Sequence, residues 1–221
     1  MSTETVAYRL GASPAIAKAL EDACIHYGIT TVLQRSHFLG QMAQESRNYS
    51  TVVENMNYSA KRLAEVWPNR YAINPKAPTK DRLPTEKAIS LARSGPAAIA
   101  NDVYGGRMGN YLPGDGWLFR GQGFKMITGR SNVSKYSMDT YGDYRVLDNP
   151  KMLQELPDAV YSGGWYWTVN GLNRHANRDD YLAVGRLINI GTLNTKLIPN
   201  GHRERVIQTD RAKQFFKELL R

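Results

Sequence analysis

The stretch that decides the fold runs Thr31-Val-Leu-Gln-Arg-Ser-His-Phe-Leu-Gly-Gln-Met-Ala-Gln-Glu45. Thr31 followed three residues later by Gln34 is a capping-box pattern, the side-chain pair that opens an α-helix. The apolar residues that follow recur at helical spacing and mark one core face: Val32, Leu39, Met42 and Ala43. The pattern therefore predicts a core-facing helix that reaches Glu45.

Similar signals predict helices on both sides of this stretch. Ser13-Pro14 looks like an N-cap followed by proline at the first helical position, and Gly28 stops that run. Ser59 caps another helix that Pro68 ends, and residues 74–84 form a proline-rich exposed loop. Further helical patterns cover residues 85–93, 96–104, 150–170, 179–189 and 202–220, whereas residues 105–131 are glycine-rich and predicted to form turns or a small hairpin. The whole predicts one mainly α-helical domain over residues 1–221, with two lobes and no separate binding module.

Composition limits the classes of protein and partner. The 221 residues include 29 Lys and Arg against 20 Asp and Glu, a net charge of +9, and 42% are apolar. A single cysteine excludes an intramolecular disulfide, and no apolar run approaches the ~18–20 residues of a membrane span. The amino terminus lacks the layout of a secretory signal, which predicts a protein made and kept in a cytoplasm. The charge favours an anionic partner, but the basic residues are dispersed and no nucleic-acid module accompanies them.

The sequence lacks the motifs that most kinds of catalytic site require. The four histidines never pair at a spacing typical of zinc hydrolases, and Cys24 lies on an apolar helix face like an ordinary buried thiol. Gly121-Gln-Gly123 is a lone G-x-G without the other residues of a phosphate-binding loop. We therefore predict no metal and no cofactor, which leaves carboxylates as the candidate catalytic groups.

Glu45 and Glu54 are the two carboxylates of interest. Helical periodicity places Glu45 at the border of the core face, near Phe38, Gln41 and Met42. An apolar setting disfavours a charged carboxyl and suits a general acid, but a solvent-facing glutamate fits the spacing as well. Glu54 can approach Glu45 only if the helix ends near residues 47–49. On spacing alone, an ordinary loop glutamate is favoured for Glu54.

The segment Phe119-Arg-Gly-Gln-Gly-Phe-Lys-Met-Ile-Thr-Gly-Arg130 offers a candidate ligand-binding turn. Its glycines permit close backbone approach to an extended ligand, and Gln122, Lys125 and Thr128 supply side-chain donors. A glycine-rich hairpin that binds no ligand is the alternative.

Four segments together resemble family 19 glycoside hydrolases, a chitinase-like family that includes phage endolysins. The segments are His37–Ser46, Val53–Leu63, Phe119–Arg130, and Arg186–Gly191 with the downstream Asn200-Gly201. The sequence departs from the family pattern at Gln44, Gln122 and Ile190, and residues 192–200 resemble an insertion.

The resemblance implies a lysozyme-like α+β superfamily fold with a central cleft between two lobes. It also implies an inverting mechanism, in which two carboxyls ~6.5–9.5 Å apart leave room for a water. Glu45 would be the general acid, Glu54 the general base and Thr128 a holder of the water. Asn189 matches a substrate-contacting asparagine, and the further cleft candidates are Tyr58, Gln122, Lys125 and Arg205.

The expected function is hydrolysis of β-1,4 bonds in the peptidoglycan glycan strand by a monomeric phage or prophage endolysin. Such an enzyme would stay in the host cytoplasm until a holin-type partner opens the membrane, and would then act on the wall in the periplasm. A chitinase is the close alternative, and a catalytically silent glycan-binding protein is a second. Binding to nucleic acid rests on charge alone and is not expected.

Overall fold

A computed structural model describes residues 2–220, and helices dominate it. Within those residues, β-pairing is limited to isolated bridges that join Val53 to Gln122, Gln122 to Ile127, and Ala72 to Pro84. The prediction of a mainly α fold is confirmed. Between Ser2 and Leu220, no helix has both the length and the apolar character needed to cross a membrane.

The chain forms two compact units. The first unit comprises residues 1–53, 121–127 and 133–221, and the second comprises residues 54–120 and 128–132. The helices of the first unit are α1 (Thr3–Arg9), α2 (Pro14–His26), α3 (Val32–Glu45), α9 (Arg130–Tyr141, whose first three residues belong to the second unit), α10 (Arg145–Asp148), α11 (Asp158–Val169), α12 (Asn173–Ala176), α13 (Tyr181–Asn189) and α14 (His202–Leu219). Those of the second unit are α4 (Ala60–Val66), α5 (Pro68–Tyr71), α6 (Glu86–Ser94), α7 (Pro96–Tyr104) and α8 (Asp115–Leu118).

Helix α3 lies in the core of the first unit. Phe38 is fully buried and meets the ring of Trp167 edge to face, with centroids 5.5 Å apart. Helix α14 packs closely along α3 because Gly40 carries no side chain. A Cβ at residue 40 would lie 2.3 Å from the Thr209 hydroxyl oxygen and 2.8 Å from its backbone nitrogen. This close approach brings residues of α14 alongside the carboxyl end of α3.

The second unit has its own smaller apolar core. Its fully buried members are Met56, Leu63, Tyr71, Ala88, Ile99, Ala100 and Val103. Tyr58, Trp67 and Tyr104 pack against this cluster from partly buried positions. The unit is further fixed by Asp115, which binds Arg130 through two hydrogen bonds of 2.6 and 2.9 Å.

Several helix boundaries agree with the capping signals. Ser13 accepts from the backbone of Ile16, and both hydrogen bonds of the capping box at Thr31 and Gln34 are present. Ser59 also caps α4, as predicted.

Other boundaries differ from the predictions. Pro68 does not end α4, which stops at Val66. Proline instead begins α5, where a missing N–H costs nothing. The predicted helix over residues 150–170 is a short 3₁₀ helix (Pro150–Gln154) followed by α11. Helices α1, α5, α8, α9, α10 and α12 were not predicted.

The single cysteine behaves as the sequence predicts. Cys24 is fully buried, and burial raises the pKa of its thiol to about 12. A thiol with so high a pKa is a poor nucleophile at neutral pH.

Candidate active site

Glu45 is the last residue of α3, where the chain reverses sharply. The three residues Arg47, Asn48 and Tyr49 all have left-handed backbones, with φ of 50°, 56° and 63°. The buried Tyr49 holds this reversal, because its hydroxyl donates to the Leu39 carbonyl at 2.9 Å. Helix α3 thus ends at Glu45, two residues before the break at residues 47–49 that the sequence analysis considered.

The side chains around the Glu45 carboxyl are polar and charged. The prediction of an apolar setting for this carboxyl is therefore wrong. The Arg205 guanidinium donates to the Glu45 carboxylate and also to the Gln41 side-chain oxygen, the latter at 2.6 Å. The side chains of Glu45 and Arg205 are only 12% and 3% exposed. The carboxylate is therefore held in one place by a buried guanidinium, and Gln41 fixes the orientation of that guanidinium.

Two features of α14 direct Arg205 toward Glu45. The helix begins after Gly201, which has a left-handed backbone and leaves room for Gln44. A Cβ at residue 201 would lie 2.3 Å from the Gln44 side-chain nitrogen. The Asn200 carbonyl then accepts from Arg205 Nε at 3.0 Å. The segment 200–201 that the sequence singled out thus positions a charge at Glu45.

Lys125 also belongs to the surroundings of Glu45. It is 8% exposed, and its Nζ lies 4.1 Å from the centroid of the Tyr166 ring. Burial lowers the pKa of Lys125, while the charge of Glu45 opposes that change and the charge of Arg205 adds to it. The first unit therefore gathers one carboxylate and two cations.

Two other predicted residues of the first unit have partners within the protein. Gln122 is 1% exposed, and its side-chain oxygen accepts from Gln154 at 2.6 Å. This bond and the backbone pairing of Gln122 with Ile127 hold Gln122 within the turn, and its contact with substrate stays a prediction. Asn189 is exposed at the end of α13, and its side-chain oxygen accepts from the Asn200 backbone at 2.9 Å.

Glu54 lies in the second unit, where a tyrosine hydroxyl binds it. Tyr104 Oη lies 2.8 Å from both carboxylate oxygens. Burial, followed by the charge of Glu54, raises the pKa of Tyr104, so the phenol stays protonated and donates a hydrogen bond to the carboxylate. This charge-assisted hydrogen bond holds the Glu54 carboxylate in a defined orientation, unlike a glutamate in a mobile loop.

Arg120 supplies positive charge near Glu54. Its guanidinium lies 3.7 Å from the centroid of the Trp117 ring and donates to the Trp117 carbonyl at 2.7 Å. Burial lowers the pKa of Arg120, and the charge of Glu54 opposes that change. The second unit therefore pairs its carboxylate with a hydroxyl donor and a nearby guanidinium.

The remaining predicted residues of the second unit are half-buried. The Tyr58 ring lies edge to face with Trp67, with centroids 5.3 Å apart. The Thr128 carbonyl accepts from the Asn132 side chain at 2.7 Å, which fixes the backbone just before α9.

Sequence reasoning placed Gln41 near Glu45 but missed three residues that contact or lie near the two carboxylates. They are Tyr104, Arg120 and Tyr166. Gln41 lies one helical turn before Glu45, so its position carried a signal. No local pattern could have placed Tyr104 against Glu54, because 50 residues separate them.

The described residues hold no candidate metal centre. Between Ser2 and Leu220, no three or more His, Cys, Asp and Glu side chains come together in a way that could bind a metal ion.

Comparison with known proteins identifies a relative. A Haemophilus influenzae protein described as "Glycosyl hydrolase family 19 domain-containing protein" is 30% identical over 159 residues, which cover 71% of this chain and 70% of the relative. No protein-family model matches the chain.

Proposed function

Because this chain belongs to glycosyl hydrolase family 19, and is therefore a glycoside hydrolase, we propose that it cleaves β-1,4 bonds in the glycan strand of peptidoglycan. The observation that carries the proposal is the buried Glu45, held by Arg205 at the end of α3. The net charge of +9 favours an anionic polymer such as peptidoglycan over uncharged chitin.

In the proposed mechanism, Glu45 is the general acid. Its proton passes to the glycosidic oxygen as the bond from that oxygen to the anomeric carbon breaks. The carboxylate left behind gains a negative charge, which Arg205 stabilises through a buried charge-assisted hydrogen bond. Arg205 thus stabilises the negative charge that develops on Glu45 as its proton leaves. This stabilisation lowers the barrier to cleavage of the glycosidic bond.

Glu54 is the proposed general base. It takes a proton from the water that attacks the anomeric carbon, and attack opposite to the leaving oxygen inverts the configuration. The Tyr104 hydroxyl orients the Glu54 carboxylate, and Arg120 supplies positive charge nearby. Thr128 is proposed to hold the water, while Tyr58 and Asn189 are proposed to contact the sugar.

The proposed role in the cell is that of a phage endolysin that lyses its bacterial host. A membrane-permeabilising partner of the holin type would give the enzyme access to the wall. The test is expression in a Gram-negative host, with and without a second inducible protein that permeabilises the inner membrane. Lysis only with both proteins supports the role. Intact cells with both, although the purified enzyme degrades their wall, would contradict it.

The substrate is tested by mass spectrometry of the products from purified peptidoglycan and from colloidal chitin, with Glu45→Gln as the inactive control. We expect disaccharide muropeptides with N-acetylmuramic acid at the reducing end. Products from chitin alone would instead show a chitinase, and products with N-acetylglucosamine at the reducing end would show that the other bond of the strand is cut. Binding to either polymer without any product would show a catalytically silent glycan-binding protein.

A further inference from the structure

A small cavity lies at the junction of α4 and α5 in the second unit. Its volume is about 290 Å³, and it is lined by the successive residues Val66, Trp67, Pro68, Asn69 and Arg70. Helix α4 ends at Val66 and α5 begins at Pro68, so the chain bends at Trp67 beside this space. The volume is near the lower end of the ~300–1,000 Å³ that is typical of ligand pockets, which suits a single sugar unit.

The aromatic wall of the cavity is held in place by its neighbours. The rings of Tyr58 and Tyr71 meet the half-buried Trp67 ring edge to face, with centroids 5.3 and 6.1 Å away. The Trp67 backbone N–H donates to the Leu63 carbonyl at 2.9 Å. A fixed indole gives a ligand a flat apolar surface and loses little entropy when the ligand binds.

Two polar groups of the cavity have no use within the fold. Trp165 and Trp167 in the first unit both donate their indole N–H to a side chain at 2.8 Å. Over the described part of the chain, the indole N–H of Trp67 and the side-chain amide of the exposed Asn69 make no hydrogen bond. The cavity therefore offers one N–H donor and one amide that can both donate and accept.

The charged member of the lining is already bound. The Arg70 guanidinium donates to the backbone carbonyls of Asp102 and Val103 at 2.6 and 3.0 Å and to the Asp102 carboxylate at 3.3 Å. The groups left for a ligand are then neutral, namely the Trp67 ring, its N–H and the Asn69 amide. They match a neutral sugar that carries an acetamido group, because the C–H face of such a sugar is apolar and its amide pairs with another amide.

We propose that this cavity is a subsite for one N-acetylated sugar of the glycan strand, with the sugar ring on Trp67 and its acetamido group on Asn69. The inference rests on the proposed function, since both sugars of peptidoglycan carry an acetamido group. Tyr58, which contacts Trp67, follows the proposed base Glu54 by four residues in the same unit. A sugar bound here would add binding energy at a distance from the bond that is cut.

The test is NMR of the tryptophan indole N–H signals in Glu45→Gln, with N,N′,N″-triacetylchitotriose as the probe. Trp67→Phe assigns the Trp67 signal, which should shift saturably as the sugar is added. The signal of Trp167 should not move, because this side chain is fully buried in the first unit. Cellotriose has the same linkage with hydroxyls in place of the acetamido groups, and it should bind about tenfold more weakly at Trp67.

Asn69→Ala should raise the Kd of triacetylchitotriose at Trp67 about tenfold, to the value for cellotriose. The matched control is Asn149→Ala, which alters an exposed asparagine after α10 and should leave the Kd unchanged. A Trp67 signal that does not move, equal affinity for the two sugars, or an unchanged Kd in Asn69→Ala would each overturn the inference. If Trp67→Phe does not fold, phenylalanine at the other tryptophans assigns the signal by elimination.

The binding experiment needs no turnover, so the two proposals can fail separately. A wild type that cleaves no glycan, although triacetylchitotriose shifts the Trp67 signal, would contradict the proposed function and support the subsite. A wild type that degrades peptidoglycan while the Trp67 signal stays fixed would overturn the subsite alone.

Discussion

The Tyr104 hydroxyl lies 2.8 Å from both carboxylate oxygens of Glu54, although 50 residues separate the two side chains. This bond fixes the plane of the carboxylate within the second unit, and a general base must have such a fixed direction to remove a proton from one water. Under the proposed mechanism, Tyr104 is therefore a positioning residue that acts through Glu54.

Replacement of that tyrosine tests the relationship. In Tyr104→Phe we expect kcat to fall about tenfold, since one hydrogen bond to a charged group is worth at least ~1.4 kcal/mol. The apolar ring remains, so the melting temperature should fall by only about 3–6 °C. The measurement is kcat on purified peptidoglycan beside Tyr111→Phe, which alters a tyrosine that is 77% exposed. Equal rates for the two variants would show that the Tyr104 hydroxyl plays no part in catalysis.

Arg205 should not tolerate replacement by lysine. Its guanidinium binds Gln41 and Glu45 through different nitrogens, and a lysine ammonium cannot reproduce that fork. We expect Arg205→Lys to lose about 2 kcal/mol of unfolding free energy and at least about tenfold in kcat. Arg203→Lys, an exposed position on the same helix, is the control for both measurements. Wild-type turnover in Arg205→Lys would show that charge alone is sufficient.

Replacement of a residue in the left-handed turn after Glu45 by glycine should raise the free energy of unfolding. Arg47 has a φ of 50°, which costs an ordinary residue about 1–2 kcal/mol, while glycine adopts it freely. Glycine also loses more backbone entropy on folding, so Arg47→Gly should raise the unfolding free energy by about 0.5 kcal/mol. Asn48→Gly should gain less, because asparagine tolerates this conformation and its side chain accepts from Gln208. Urea unfolding of both variants measures the two gains in unfolding free energy. A loss of stability in Arg47→Gly would show that the turn is not strained.

The ion pair of Asp115 and Arg130 predicts a pH dependence of stability. The hydrogen bonds from Arg130 hold the pKa of Asp115 below its ordinary value of 3.8. A lowered pKa in the folded state means that the stabilisation is present above the ordinary value and is lost as the pH falls through the lowered one. Asp115→Asn should therefore cost about 2–3 kcal/mol at pH 7, and the deficit should shrink toward pH 2. Thermal unfolding of the wild type and Asp115→Asn between pH 7 and pH 2 measures this loss of stability. A loss that is constant with pH would contradict the ion-pair explanation.

Local signals predicted the helices that have clear caps and an apolar face. The hydroxyls of Ser13, Thr31 and Ser59 each accept from a backbone N–H in the first turn of their helices, as the sequence indicated. Helix α9 was missed because its sequence is rich in serine, asparagine and threonine, which favour caps and turns when packing is not known. Helix α1 was missed because its two buried apolar residues, Val6 and Ala7, are adjacent and set no helical period.

The site could be predicted only in part, for a related reason. The glutamates stood out by type and by resemblance, whereas the groups that set their chemistry come from distant segments. Arg205 lies 160 residues from Glu45 along the chain, and only the packing of α14 on α3 at Gly40 brings them together. The expected apolar setting of Glu45 was wrong for that reason, since helical periodicity describes one face and not what packs against it.

The measurement that tests the central claim most directly compares the wild type and Glu45→Gln on purified peptidoglycan, with the release of new reducing ends as the readout. The amide has nearly the shape of the acid but cannot donate the proton to the leaving oxygen. We predict that turnover falls by about 10³-fold while binding to the polymer and the melting temperature are retained. Turnover within a few-fold of the wild type, in a variant that folds and binds normally, would contradict the assignment of Glu45 as the catalytic acid.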